Sequence, residues 1–110
     1  MTAKEIHLLK KMKELVKNGK RRFQERKDRL YTDDLAELYL TEEQAWNHVL
    51  SLNPNMYYVD NKPFYKQSPN KLTFKKVINK NIVYIKLAIE KINGEEVVCW
   101  SFHKDGEKND

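Results

Sequence analysis

What the chain lacks narrows the field first. A single cysteine, Cys99, stands in 110 residues, which excludes an internal disulfide and any cysteine-cluster metal site. Within an apolar strand-like run it reads as a small core residue rather than a nucleophile. Only three glycines and three prolines are present, too few for a low-complexity or disordered chain. No apolar run approaches the length of a membrane span, and the first residues lack the apolar core of a signal peptide, so the expectation is a cytoplasmic protein with no membrane partner. Phosphate-binding glycine loops, triad spacings and zinc patterns are all missing. His7 and His48 have no carboxylate or cysteine partners in sequence and read as surface residues, so no metal and no cofactor is expected.

Positive charge is missing from the middle of the chain. Residues 1–30 carry eleven Lys/Arg against four Asp/Glu, residues 31–60 none against six, and residues 61–110 ten against six, giving local charges of +7, −6 and +4. From Lys62 to Lys91 there are eight lysines and one acid, Glu90, interleaved with Phe64, Tyr65, Phe74 and Tyr84. Cations mixed with aromatics on a sheet suit a single-stranded nucleic acid, which offers phosphates and stackable bases. The competing reading is a lysine-rich solvated face.

With 40% hydrophobic and 34% charged residues, the composition is that of a globular chain. Its length suits one domain spanning 1–110, with a helical part over about 1–53 and a sheet over about 55–104. Thr2-Ala3-Lys4-Glu5 is a capping box opening a helix with apolar residues Ile6, Leu9, Met12 and Val16, widened by Leu8 and Leu15; Asn18-Gly19 should end it. Lys20 to Arg29 fits either a short edge strand or a helical turn. Thr32-Asp33-Asp34 is expected to cap a short helix through Leu38. Thr41-Glu42-Glu43-Gln44 is a second capping box, opening a helix through Leu52 that Asn53-Pro54 stops, with Trp46, Val49 and Leu50 as core contacts. Strands are then expected at Met56 to Val59, Lys71 to Ile78, Val83 to Ile89 and Val97 to His103, with turns at Ser68-Pro69-Asn70 and Asn79-Lys80-Asn81. Helices followed by antiparallel strands give an α+β two-layer sandwich.

The last hairpin carries the most information. Asn93-Gly94 between alternating apolar residues predicts a two-residue type I′ turn pairing Ile92 with Glu95. Counting outward, Ile89 meets Val98, Leu87 meets Trp100 and Ile85 meets Phe102 on the face expected to be buried against helices. The other face then pairs Ala88 with Cys99, Lys86 with Ser101 and Tyr84 with His103, with Cβ atoms about 5 Å apart. Trp46 and Trp100 both read as core. Tyr57 and Tyr58 straddle a strand, so one should face the core and the other could stack on a base.

Several segments, in this order and spacing, resemble the MqsR toxins of bacterial toxin–antitoxin systems: Tyr39-Leu40-Thr41 through Leu52-Asn53, Tyr57-Tyr58, Val83-Tyr84-Ile85-Lys86-Leu87, and Val97-Val98-Cys99-Trp100-Ser101-Phe102-His103. The resemblance covers most of the chain. It implies a RelE-like fold, metal-independent cleavage of messenger RNA, and a cognate antitoxin as partner. Carried over residue by residue, the family's strand tyrosine is Tyr84, and the lysine after its terminal Ser-Phe is replaced by His103, with Lys104 following. The lysine after its aromatic pair falls on Val59, so that role would pass to Lys62 or Lys66. Its glutamine falls near Lys75.

The same residues suit the chemistry on general grounds. RNA cleavage without metal uses the 2′-hydroxyl as nucleophile, and needs a base there, an acid at the 5′-oxygen and cations around the charged phosphorane. His103 is the natural base or acid, since its unperturbed pKa lies near 6.5 and a positioned proton donor or acceptor gives about 10²–10⁴-fold. Tyr84 could donate to the phosphate. Together with the resemblance, which alone brings in Lys62 and Lys66, this nominates His103, Tyr84, Lys62 and Lys75 as catalytic and Lys66, Lys76, Lys86, Lys104 and Tyr58 as RNA-binding, with Ser101 a weaker phosphate contact. A catalytically silent RNA-binding domain and a protein-interaction module are the alternatives.

Overall fold

The computed structural model describes residues 1–59 and 70–106. Its elements are α1 (Ala3–Lys17), β1 (Arg21–Phe23), α2 (Tyr31–Glu37), α3 (Glu42–Leu50), a 3-10 turn (Pro54–Met56), β2 (Lys71–Ile78), β3 (Asn81–Lys91) and β4 (Glu95–Lys104). The four strands form one sheet in the order β1-β4-β3-β2. The fold is therefore α+β, with most of the helical chain preceding most of the sheet.

Both capping boxes form. Thr2 accepts from the Glu5 amide at 3.1 Å and Glu5 accepts from the Thr2 amide at 2.8 Å; Thr41 and Gln44 make the same reciprocal pair at 3.1 and 2.9 Å. Each satisfies two amides that a helix start leaves without partners. Leu9, Met12 and Val16 of α1 are buried, whereas Ile6, expected in the same stripe, is 37% exposed. The second helix departs from expectation. It begins one residue before Thr32, with Leu30 at the cap position and no side-chain cap. Asp34, expected at the cap, instead lies buried inside α2 and accepts from Arg29 Nε at 3.0 and 2.9 Å.

The ambiguous segment after α1 resolves as an edge strand, and it runs parallel to β4, pairing Arg21 with Val97 and Phe23 with Cys99. The sheet is consequently mixed rather than wholly antiparallel. Alternation sends Phe23 inward, where its ring stacks on Tyr31 at 4.7 Å and meets Trp46 at 4.8 Å. Arg22 goes to the opposite face, where Glu90 and Glu96 sit directly across from each other on β3 and β4. Facing like charges are destabilising, and Arg22 relieves them by pairing with Glu96 at 2.7 Å and Glu90 at 3.5 Å.

The expected strand at Met56 to Val59 is not formed. Pro54 fixes a 3-10 turn there, and only an isolated bridge from Tyr57 to Phe74 and a hydrogen bond from the Tyr58 amide to Thr73 follow it. The expected turn at Ser68-Pro69-Asn70 falls largely outside the described residues.

The β3–β4 hairpin departs from the expected register twice, and the departures cancel. The strands close at Lys91 and Glu95, leaving Ile92-Asn93-Gly94 as a three-residue loop with Gly94 at φ 94°. This shifts the pairing by one, so Leu87 meets Cys99 and Ala88 meets Val98. A β-bulge at Trp100 then restores the expected register: Lys86 faces Ser101, Ile85 faces Phe102 and Tyr84 faces His103. The extra residue of a bulge reverses side-chain direction, which lets Cys99 and Phe102, three apart, both enter the core. Val98 and Trp100, expected on the helix-covered face, move to the other one. There the Trp100 indole N–H donates to Glu90 at 2.9 Å.

The core lies between the helices and the face of the sheet carrying Leu72, Phe74, Val83, Ile85, Leu87, Val97, Cys99 and Phe102. Trp46, Val49 and Leu38 close it from the helical side. Burial pushes the Cys99 thiol well above its usual range, as suits a packing residue.

Candidate functional site

The opposite face of the sheet brings together four of the nominated residues. Pairing across three strands aligns Lys75 with Tyr84 and Tyr84 with His103. The Tyr84 and His103 rings stack, with centroids 5.5 Å apart and planes within 19°. Tyr58 meets Tyr84 edge-on at 6.2 Å, and the Lys75 ammonium sits 4.0 Å above the Tyr58 ring. Tyr57, the other half of the straddling pair, goes to the core side, where its hydroxyl donates to Glu5 at 2.5 Å. Burial, and after it that bond, hold its phenol up at about 12. Lys86 lies on the same face as Tyr84, one pair further along, beside Thr73 and Ser101.

His103 has a defined chemical state. It is only 4% exposed, and its Nδ1 lies 2.9 Å from the Lys104 carbonyl oxygen. A carbonyl can only accept, so Nδ1 carries the proton of the neutral ring and Nε2 keeps its lone pair. Burial pushes the imidazole pKa below its ordinary value; the Lys104 carbonyl works against this, Arg29 and Arg26 oppose protonation and Asp34 favours it. At neutral pH His103 is therefore a neutral base. Lys104 itself contributes a backbone carbonyl, because pairing with Val83 turns its side chain to the helix-covered face.

A cleft opens beside β4 where β1 ends. Its walls are Gln24, Arg26 and Arg29 from the chain leaving β1, Asp34 from α2, and Ser101 and His103 from β4. It holds about 10 Å³, room for one water. Arg26 reaches the Trp100 carbonyl at 3.5 Å and pairs with Asp28 at 3.5 Å. Arg29 is held by Asp34. Sequence reasoning missed Arg29 and Asp34, and left open whether Arg26, with Arg21 and Arg22, helps to hold RNA, because the segment that carries them is ambiguous. Nothing in their spacing could signal them, since they reach His103 only because β1 stops three residues before Arg26. Arg21 and Arg22 are committed elsewhere, Arg21 to Glu43 at 2.8 Å.

Other nominated residues are not part of this constellation. Lys76 alternates with Lys75 and points to the helix-covered side, where its ammonium donates to His48 Nδ1 at 2.9 Å and to the Ser51 hydroxyl. His48 is accordingly half-buried and engaged, not a free surface residue. Lys75 is paired with Asp105 at 3.1 Å. Lys62 and Lys66 lie outside the described residues. Tyr84, Lys86 and His103 are all buried, so the site is built but recessed. Among the described residues no group of three or more His, Cys, Asp or Glu could hold a metal ion, and no helix is long and apolar enough to cross a membrane. No family model and no curated protein matches the chain.

Proposed function

We propose that this protein is a metal-independent endoribonuclease of the RelE-like fold, a toxin that cuts single-stranded messenger RNA in the cytoplasm and is neutralised by a cognate antitoxin. The observation that carries the reading is the contact of His103 Nδ1 with the Lys104 carbonyl, from which its tautomer follows. Its Nδ1–H is anchored on the Lys104 carbonyl while Nε2 stays unprotonated at neutral pH, the state required of a base that takes the proton from a 2′-hydroxyl. Tyr84, stacked on that ring, supplies a phenol that can donate to the phosphate or the departing 5′-oxygen. Arg26 and Arg29 at the cleft, with Lys75 across the face, are the cations that offset charge building on the phosphorus oxygens. Tyr58, already under Lys75, is the ring on which a neighbouring base would stack. Since the cleft has room for no more than about one water, a phosphate reaches Nε2 only if an arginine side chain moves aside.

The burial of His103 favours a second reading, a catalytically silent RNA-binding domain in which the stacked pair is packing. An end-labelled single-stranded RNA, incubated in EDTA with wild-type and His103→Ala protein, separates them. The proposal expects discrete wild-type products ending in 2′,3′-cyclic phosphate and a loss of about 10²-fold or more in the variant. Intact RNA with both proteins, despite salt-sensitive binding, establishes the silent reading.

A further inference from the structure

Lys76, His48 and Ser51 converge on the helix-covered side of β2, away from the constellation around His103. The Lys76 Nζ donates to His48 Nδ1 at 2.9 Å and to the Ser51 hydroxyl oxygen, and Ser51 in turn donates to the His48 carbonyl at 2.8 Å. Both acceptors are uncharged. Lys11 and Lys75, by contrast, are held by carboxylates, Glu95 at 2.8 Å and Asp105 at 3.1 Å. With two N–H bonds fixed on neutral acceptors, the remaining tetrahedral position of the Lys76 amine is where its third proton or its lone pair must lie. The Lys76 residue is partly exposed, so acylating reagents of small size can reach it.

We infer that Lys76 is a preferred acylation site of this chain, with His48 as the base that receives the proton released in the reaction. The neutral amine attacks the acyl carbon of an acyl phosphate, the N–C bond forms, and the C–O bond to phosphate breaks with its electron pair leaving on the phosphate. The excess proton on Nζ passes along the existing hydrogen bond to His48 Nδ1 and then to solvent. The products are an uncharged amide at position 76 and inorganic phosphate. Two facts about the local chemistry agree with this. Burial pushes the Lys76 amine below its ordinary pKa, and burial followed by the Lys76 charge does the same to His48, so His48 is available as a proton acceptor at neutral pH.

The test is site-resolved mass spectrometry of the full chain during reaction with acetyl phosphate at neutral pH. Lys80, exposed on the adjoining turn, is the solvent reference. Lys13, also pushed down by burial and by Lys17, controls for desolvation alone. Lys76 is expected to be acetylated at least about fivefold faster than either, below the ~10²-fold that a fully positioned proton acceptor can supply. His48→Gln, which keeps an acceptor but cannot take up a proton, is expected to bring Lys76 down to the Lys80 rate while leaving Lys80 and Lys13 unchanged. A Lys76 rate no higher than that of Lys80, or one unaffected by His48→Gln, overturns the inference. If His48→Gln lacks a cooperative unfolding transition, the wild-type ratio of Lys76 to Lys80 decides alone.

Discussion

The two faces of the sheet are both buried along the central strands, but by different chemistry. On the helix-covered face Val83, Ile85, Leu87 and Phe102 pack on Leu72, Phe74 and the helices. Polar side chains enter that face only at its margins, where they pair with one another. The other face buries Thr73, Tyr84, Lys86 and His103, whose polar atoms must each find partners to offset lost hydration. No buried side-chain N or O among the described residues is left without one. The first face supplies stability mainly through apolar burial, with titratable groups only at its margins, where Lys76 meets His48 and Tyr57 meets Glu5. The second has groups whose protonation and hydrogen bonding are coupled to folding, which is the usual condition of a functional site.

The comparison can be broken most severely from the core side. Phe74, fully buried beneath Tyr57, is expected to cost about 3–5 kcal/mol on replacement by alanine, read as a lowered urea midpoint at unchanged slope. His103→Ala should cost far less, about 1 kcal/mol for one lost hydrogen bond and some packing, while lowering the proposed cleavage about 10²-fold or more. A large stability loss in that variant would make the ring structural.

The pH dependence separates the faces more finely. His103 and His48 have folded pKa values pushed below the ordinary value by burial. Between those depressed values and the unfolded value near 6.5, the unfolded chain binds more protons than the folded one. Stability is therefore fully present above the unfolded pKa and declines as pH falls toward the folded pKa. Urea midpoints at neutral and mildly acidic pH should differ in the wild type and lie closer together in His103→Gln; an unchanged difference in that variant would exclude His103 as a contributor.

The smallest effect concerns the two hairpins. Lys80 sits at φ 68° in the tight β2–β3 turn, beside Asn79 at φ 50°. Left-handed backbone costs an L-residue roughly 1–2 kcal/mol, partly offset by the larger unfolded-state entropy of glycine. Lys80→Gly is thus expected to stabilise by about 0.5–1 kcal/mol in thermal unfolding, without altering the proposed cleavage. Asn79 should be kept, because its side-chain amide donates to the Leu38 carbonyl at 2.7 Å.

Those hairpins also show what sequence reading can and cannot reach. Asn93-Gly94 is the stronger turn signal, yet the paired-left-handed two-residue turn forms at Asn79-Lys80. Asn93-Gly94 becomes part of a three-residue loop. The pairing of Tyr84 with His103 was nonetheless legible, because the bulge at Trp100 offsets the longer loop. The faces of Val98, Cys99 and Trp100, between the two irregularities, were not. Arg26 and Arg29 were illegible for another reason: their place depends on where a parallel edge strand ends, and parallel pairing joins residues some seventy-five positions apart with no local turn to announce it.

Local chemistry in the sequence determined the two capping boxes, the end of α1 at Asn18-Gly19, the alternation of β2 and the separation of Tyr57 from Tyr58, because each rests on hydrogen bonds or side-chain directions set within a few residues. Tertiary structure alone decided the mixed sheet, the bulge, which of Lys75 and Lys76 faces the helices, and the burial of His103 beside Arg26, Arg29 and Asp34. Those depend on which distant groups a side chain meets once the core has closed, and on how far that closure removes it from water.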